Sequence, residues 1–309
     1  MTTKVAIIQA RPAYYNLAAS VDKALALIKE AADNGARLVT LGETWLPGYP
    51  VWLDVCPNMG LWDHAPTKEV YYRLHQNSVT VPGPEVAQFC ELARQRNIVI
   101  VLSVNERVDK APGHGTLYNT LLTINERGEV ANHHRKLMPT YTERIVWGHG
   151  DGAGLNSVDT VAGRVGGLIC WEHWMPLARQ AMHDTGEQIH VAVYPTVNDY
   201  RHQTASRHYA FEGRCFVLAA GSIVRASDLP TELALRSDIK PDDLVQRGGS
   251  AIIAPDGRYL AEPVFDTEAM LYADLDLSET VKELMSLDVT GHYSRPDVFG
   301  FEVRRDRRS

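Results

Sequence analysis

A thiolate to attack, a carboxylate to move a proton and an ammonium to hold developing charge are together sufficient to open a bond at an electrophilic carbon. One residue of each type stands in this chain directly after a short run of strand character. Cys170 ends the run Val165-Gly166-Gly167-Leu168-Ile169 and precedes Trp171-Glu172-His173-Trp174-Met175-Pro176. Glu43 follows Leu38-Val39-Thr40-Leu41 and enters the loop Thr44-Trp45-Leu46-Pro47-Gly48-Tyr49-Pro50. Lys136 follows the run 129–135 and leads toward a second carboxylate, Glu143.

The local context predicts a role for each. A cysteine at a strand-to-helix elbow faces the peptide N–H groups of a helix start, which favour an anion; this predicts a lowered thiol pKa and a place for an oxyanion. Glu43 sits at the carboxyl end of a buried strand, where open α/β sheets bind ligands, among aromatic neighbours that raise its pKa toward that of a working base. Taken singly, a core thiol, a solvated glutamate and a surface lysine are the ordinary alternatives. Cys90, on an apolar helix face, and Cys215, inside a strand, fit core packing, whereas Cys56 in a loop is ambiguous. Histidine is the usual partner of a cysteine nucleophile, but His173, His202 and His208 all lack a strand-end position.

The elements that must position these groups alternate along the chain. Residues 5–8 form a buried strand, and Leu17, Val21, Ala24, Ile28 and Ala31 recur at helical spacing between the cap Asn16 and the stop Asn34-Gly35. Pro84 opens a second helix with Val86, Phe89, Cys90 and Ala93 on one face, ahead of the strand 98–102. Runs 117–124 and 129–135 around Asn125-Glu126-Arg127-Gly128 predict a hairpin, so the sheet is mixed. Strands at 165–169, 189–193 and 215–220 alternate with helices near 176–182 and 202–213, and a last hairpin, 250–254 with 258–262, precedes the strand 271–275. The expected architecture is α/β, with sheets sandwiched between helical layers in a single domain over 1–300 and a short basic tail at 301–309. Two irregular stretches, 47–66 and 226–246, are expected to serve as substrate loops or interfaces.

The 309 residues carry a formal net charge of −7, with 45% hydrophobic and 22% charged side chains, an ordinary globular composition. Net negative charge argues against a nucleic-acid partner, and the Arg304, Arg305, Arg307 and Arg308 tail is read as solvated. No run reaches the roughly 20 apolar residues of a membrane span, and no secretory h-region opens the chain. Four scattered cysteines point to a reducing, cytoplasmic compartment. His133 and His134 are strand neighbours facing opposite sides, and neither metal-binding spacing nor a phosphate-binding glycine loop occurs, so no metal or other cofactor is expected. Trp45, Trp52 and Trp62 are read as core and interface residues.

Three segments carry a resemblance: Gly42-Glu43-Thr44-Trp45-Leu46-Pro47-Gly48-Tyr49-Pro50, His134-Arg135-Lys136-Leu137-Met138-Pro139-Thr140, and Gly167-Leu168-Ile169-Cys170-Trp171-Glu172-His173-Trp174-Met175-Pro176-Leu177. Over nearly its whole length the chain resembles the nitrilase superfamily of carbon–nitrogen hydrolases. That resemblance implies a four-layer α-β-β-α sandwich with Cys170 as nucleophile, Glu43 as general base, Lys136 as cationic stabiliser and Glu143 as an additional carboxylate. Cys170-Trp171-Glu172-His173 resembles the nitrilase branch itself, as do residues 207–217 and 291–298. The expected reaction is hydrolysis of an organic nitrile to an acid and ammonia, with amide as a by-product. Trp171, Tyr49, His173 and Pro195 are expected to bind substrate. The rival readings are an amidase or N-carbamoyl hydrolase, an enzyme acting on hydrogen cyanide, and a catalytically silent assembly protein, against which the intact Glu43, Lys136 and Cys170 argue. The short stretch after residue 298 favours a homodimer over an extended spiral.

Overall fold

The computed structural model describes residues 2–110, 112–198 and 200–307. Its first sheet is built from β1 (Thr2–Gln9), β2 (Leu38–Leu41), β3 (Val99–Arg107), β4 (Leu117–Ile124) and β5 (Val130–Arg135), joined by α1 (Leu17–Asp33), α2 (Trp52–Val55), α3 (Ala65–Gln76) and α4 (Pro84–Arg96). The second contains β6 (Val158–Thr160), β7 (Gly163–Ile169), β8 (Ile189–Val193), β9 (Phe216–Ala220), β10 (Ile223–Arg225), β11 (Leu244–Ile253) and β12 (Tyr259–Phe265), with α5 (Pro176–His183) and α6 (His202–Gly213) on the crossovers. The chain then returns to the first sheet as β13 (Ala269–Asp276), followed by α7 (Ser278–Leu284).

Strand order is β13-β1-β2-β3-β4-β5 in one sheet and β10-β11-β9-β8-β7-β6 in the other, with β12 paired to β11. Each sheet has a parallel centre, β1-β2-β3 and β7-β8-β9, flanked by antiparallel strands. Parallel strands are buried on both faces, which is why 165–169 and 189–193 read as apolar runs without alternation. The two sheets face one another across a core to which Val5, Ile7, Val99 and Leu121 contribute from one side and Val165, Val191 and Leu218 from the other. Ala6, Ile8, Val39 and Ile100 point the opposite way, onto α1 and α4. The order is thus helix, sheet, sheet, helix, the four-layer sandwich expected from the sequence.

Local chemistry sets the element ends. Asn16 caps α1 by accepting the Ala19 N–H at 3.1 Å, and the helix buries Val21, Ala24, Ile28 and Ala31 before Gly35 turns the chain at φ +91°. Full burial of Ile28 contributes about 2 kcal/mol by area. At Gly167 a β-carbon would lie 2.8 Å from Leu121 Cδ2, so the sheets approach closely where β7 runs toward Cys170.

Five elements escape the sequence reading: α2, α3, β6, β10 and α7. The reason for α3 is visible, since it buries only Val70 and Leu74, too narrow a stripe to reveal helical spacing. The irregular stretch 226–246 is partly packed rather than free, with Leu229 and Leu233 buried in the cluster that holds Trp52. Trp45 and Trp52 are fully buried, whereas Trp62 is 96% exposed. The basic tail is largely exposed but tied down: Arg305 Nε donates to Leu155 O at 3.1 Å, and Arg307 pairs with Asp151 at 3.2 Å. Arg308 lies outside the described residues. Among the described residues no helix is long and apolar enough to cross a membrane.

Candidate active site

The carboxyl ends of β2, β7 and β8 deliver Glu43, Cys170 and Pro195 to one edge of the sheet pair, and the backbone bond from Glu43 N–H to Tyr194 O, 3.1 Å, joins the sheets there. Lys136 arrives from the end of β5, fixed by its N–H to Asn119 O at 2.8 Å. Its ammonium is buried and donates to Glu43 Oε1 at 3.0 Å and to Glu143 Oε2 at 2.7 Å. Glu143 lies on a 3-10 turn, Tyr141–Ile145, and also accepts the Thr140 N–H at 2.7 Å and the Tyr49 hydroxyl at 2.8 Å. Residues from three distant stretches of chain, Glu43, Lys136 with Glu143, and Cys170, thus come together.

A buried set with one ammonium and two carboxylates carries excess negative charge. Burial therefore pushes Glu43 up to about 7, against the pull of Lys136 and with the added repulsion of Glu143. Burial works against the Lys136 ammonium, but Glu143 and Glu43 outweigh it and hold the charge in place. Glu43 Oε1 also accepts the Asn119 amide at 2.6 Å, while Oε2 is buried without a hydrogen-bond partner. That bare oxygen is the one placed to accept a proton.

Cys170 differs from its sequence-based expectation. A helix start would lower the thiol pKa, yet burial and then the charge of Glu43 hold it well above the ordinary value. The elbow is a 3-10 turn, Cys170–Trp174, with Cys170 at φ +52°, so no long helix points its amides at the sulfur. The resting sulfur is therefore a neutral thiol that needs a base, not a pre-formed thiolate.

The cavity at the thiol has a volume of about 600 Å³ and is lined by Tyr49, Glu143, Cys170, Trp171, Pro195, His202 and Gln246 among others. Three of the four residues expected at substrate, Trp171, Tyr49 and Pro195, thus border it, and Trp171 is 41% exposed. His173 does not. Its ring is buried behind the elbow, with Nδ1 2.6 Å from Cys170 O and Nε2 3.0 Å from His190 Nε2. Burial and His190 push it down to about 3, so it holds the turn as a neutral ring and presents nothing to the cavity. Its i+3 spacing from Cys170 returns the ring to the backbone of its own turn.

Sequence reasoning passes over several residues here. Asn119 had a usable signal, the one amide in a strand otherwise made of Leu, Ile, Tyr and Thr. Asn198, Arg201, His202 and Gln246 border the cavity with no local pattern to mark them. Glu172 is the most heavily bonded of the overlooked groups: its buried carboxylate accepts Ile169 N–H at 2.7 Å, Leu137 N–H at 2.8 Å and the His134 ring at 2.9 Å. It ties the elbow of Cys170 to the strand end that carries Lys136, while His133, on the opposite face of β5, turns to Glu106. Glu172→Ala strands two backbone donors and a histidine in the interior. The expected cost is about 3–5 kcal/mol, read as a lower denaturant midpoint at unchanged slope. A loss below about 1 kcal/mol would show that the bridge does not hold the elbow.

Comparison with known proteins gives three findings. The family model described as carbon–nitrogen hydrolase matches residues 4–282. A bifunctional nitrilase/nitrile hydratase of Nicotiana tabacum is 39% identical over 307 residues, covering 98% of this chain and 86% of its own length. An aliphatic nitrilase of Rhodococcus rhodochrous is 39% identical over 319 residues, covering 98% and 83%. Among solved structures, Saccharomyces cerevisiae Nit3, a member of branch 10 of the nitrilase superfamily, shares the fold with a TM-score of 0.72 at 21% identity, covering 94% of this chain and 96% of that chain.

Proposed function

The chain belongs to the carbon–nitrogen hydrolase family, and on that premise we propose that it hydrolyses an organic nitrile to a carboxylic acid and ammonia through a cysteine-bound intermediate. The observation that carries the reading is that the buried Lys136 ammonium bonds both Glu43 and Glu143 while Glu143 and Cys170 border one cavity, in a chain 39% identical to proteins named as nitrilases.

In this mechanism Glu43 takes the Cys170 proton through Oε2, and the thiolate adds to the nitrile carbon. The former cyano nitrogen receives a proton from Glu43, giving a thioimidate. Lys136 and the peptide N–H of Trp171 stabilise the negative charge formed by addition. Glu43, again a carboxylate, activates a water that adds to the same carbon. Breaking the C–N bond of this tetrahedral species releases ammonia and leaves a thioester, which a second water converts to the acid. Breaking the C–S bond instead releases the amide. Glu143 shares the Lys136 ammonium with Glu43, so together they set the position of that charge at the intermediate and with it which bond breaks. The relatives named as both nitrilase and nitrile hydratase favour a mixed product. The proposal also places the protein in the cytoplasm, where its four free cysteines stay reduced, as a homodimer to be read by light scattering.

A panel of aliphatic, arylaliphatic and aromatic nitriles, each beside its amide, tests the reading when ammonia and amide are both quantified. The expected result is acid and ammonia from at least one nitrile, with faster turnover of that nitrile than of its amide. Turnover of amides alone would overturn it in favour of an amidase.

A further inference from the structure

Besides Glu43 Oε2, two side chains that border the cavity have buried polar atoms without a partner. Both amide atoms of Gln246 are buried with no hydrogen-bond partner, and so is Nε2 of His202. Gln246 is 1% exposed and His202 8%, and both border the cavity that opens onto Cys170. An unpaired buried amide costs roughly 1–3 kcal/mol, a cost that a ligand able to supply the missing bonds would recover.

The two belong to one wall. Thr196 O lies 2.5 Å from His202 Nδ1, Thr196 Oγ1 accepts the Arg247 N–H at 3.0 Å, and Val197 N–H donates to Gly248 O at 2.8 Å. The strand residues around Gln246 are therefore laced to the segment that orients His202. A carbonyl oxygen only accepts, so the ring proton of His202 sits on Nδ1; the 3.4 Å approach of the Asn198 N–H to the same nitrogen is the weaker contact. Burial lowers His202 to about 4, so the ring is neutral and Nε2 offers a bare lone pair. Its stack on Tyr194, 4.6 Å between centroids, fixes the direction of that lone pair.

A lone pair on one residue and an amide that both donates and accepts on the other call for a group that donates and accepts at once. The smallest such substituent is a hydroxyl. We propose that His202 and Gln246 form a polar subsite selecting nitriles that carry a hydroxyl a few bonds from the cyano carbon, the hydroxyl donating to His202 Nε2 and accepting from the Gln246 amide. This deepens the nitrilase reading and rests on it.

The test compares kcat/KM for a series of ω-hydroxynitriles with near-isosteric hydrocarbon nitriles, for example 3-hydroxypropionitrile against butyronitrile. A wall built to bond a hydroxyl discriminates against the methyl analogue, by about a hundredfold or more for the member of best length. Gln246→Leu and His202→Phe, the latter keeping an aromatic ring on Tyr194, are expected to bring that ratio within about threefold of unity. Gln246→Leu is also expected to raise the thermal midpoint by about 2–4 °C, because an apolar side chain replaces an unpaired amide. A series in which no hydroxynitrile is favoured, or a ratio unchanged in both variants, overturns the proposal. So does a lowered midpoint for Gln246→Leu, which would mean that its amide already had partners. If no nitrile is turned over, the nitrilase reading fails separately; the same ratio on the matching amides and the midpoint, which needs no turnover, then decide the subsite.

Discussion

Cys170→Ala is expected to abolish ammonia release from nitriles, with a loss of at least about 10⁴-fold in kcat, while the protein stays folded. The rate effect follows from the placement of sulfur: Cys170 lines the cavity, whereas Cys56, Cys90 and Cys215 do not border it. No other thiol can take its place, and water alone lacks the nucleophilicity to form a covalent intermediate. The fold should tolerate the change because alanine keeps the β-carbon that cysteine already carries at φ +52°, so the elbow acquires no new backbone strain. The His173 and Glu172 bonds that hold the elbow run to backbone atoms and survive as well. Ammonia release and a denaturant melt on the same preparation check both halves. Retention of more than about a tenth of the rate would end the thiol mechanism.

Glu43→Gln is expected to lower kcat/KM by about 10³-fold with binding largely kept, and to erase one limb of the pH profile. The amide still offers an oxygen to Lys136 and Asn119, which bond Glu43 Oε1, but it cannot take a proton where Oε2 now lies bare. The sign of the pH effect follows from which form works. The base is the carboxylate, and burial pushes Glu43 up to about 7, so wild-type kcat/KM rises with pH through about 7 as the proton leaves. Below that range the residue is protonated and the thiol, itself held well above its ordinary pKa, has no acceptor. The Glu43→Gln variant should show a low, flat profile over the same range. A variant that kept the full limb would assign the titration elsewhere.

These two results separate the groups that were legible from those that were not. Glu43, Lys136 and Cys170 could be singled out because each follows an apolar run, and a buried parallel strand leaves that signature regardless of what lies around it. The same signature exposed most of both sheets, and the cap Asn16 and the first-turn Pro84 exposed two helices. It failed where burial is one-sided and slight, as in α3, or where a strand is three residues long, as in β6 and β10. Glu172, His202 and Gln246 were silent for another reason: their burial, and for Glu172 the bonds to Leu137 and His134, follow from how distant segments pack, and nothing in their own neighbours records that.

By itself, the amino-acid order determined most of the kinds of element and which side chains stand at strand ends, because these depend on periodicities and caps read within a dozen residues; the four-layer order was implied only by the family resemblance. Only the tertiary structure decided how those groups behave. It made the Cys170 thiol neutral rather than activated, turned His173 away from the cavity, shared one ammonium between two carboxylates, and left His202 and Gln246 unpaired on a common wall. Charge and hydrogen bonding depend on distance and burial, and both are set by which strands lie side by side.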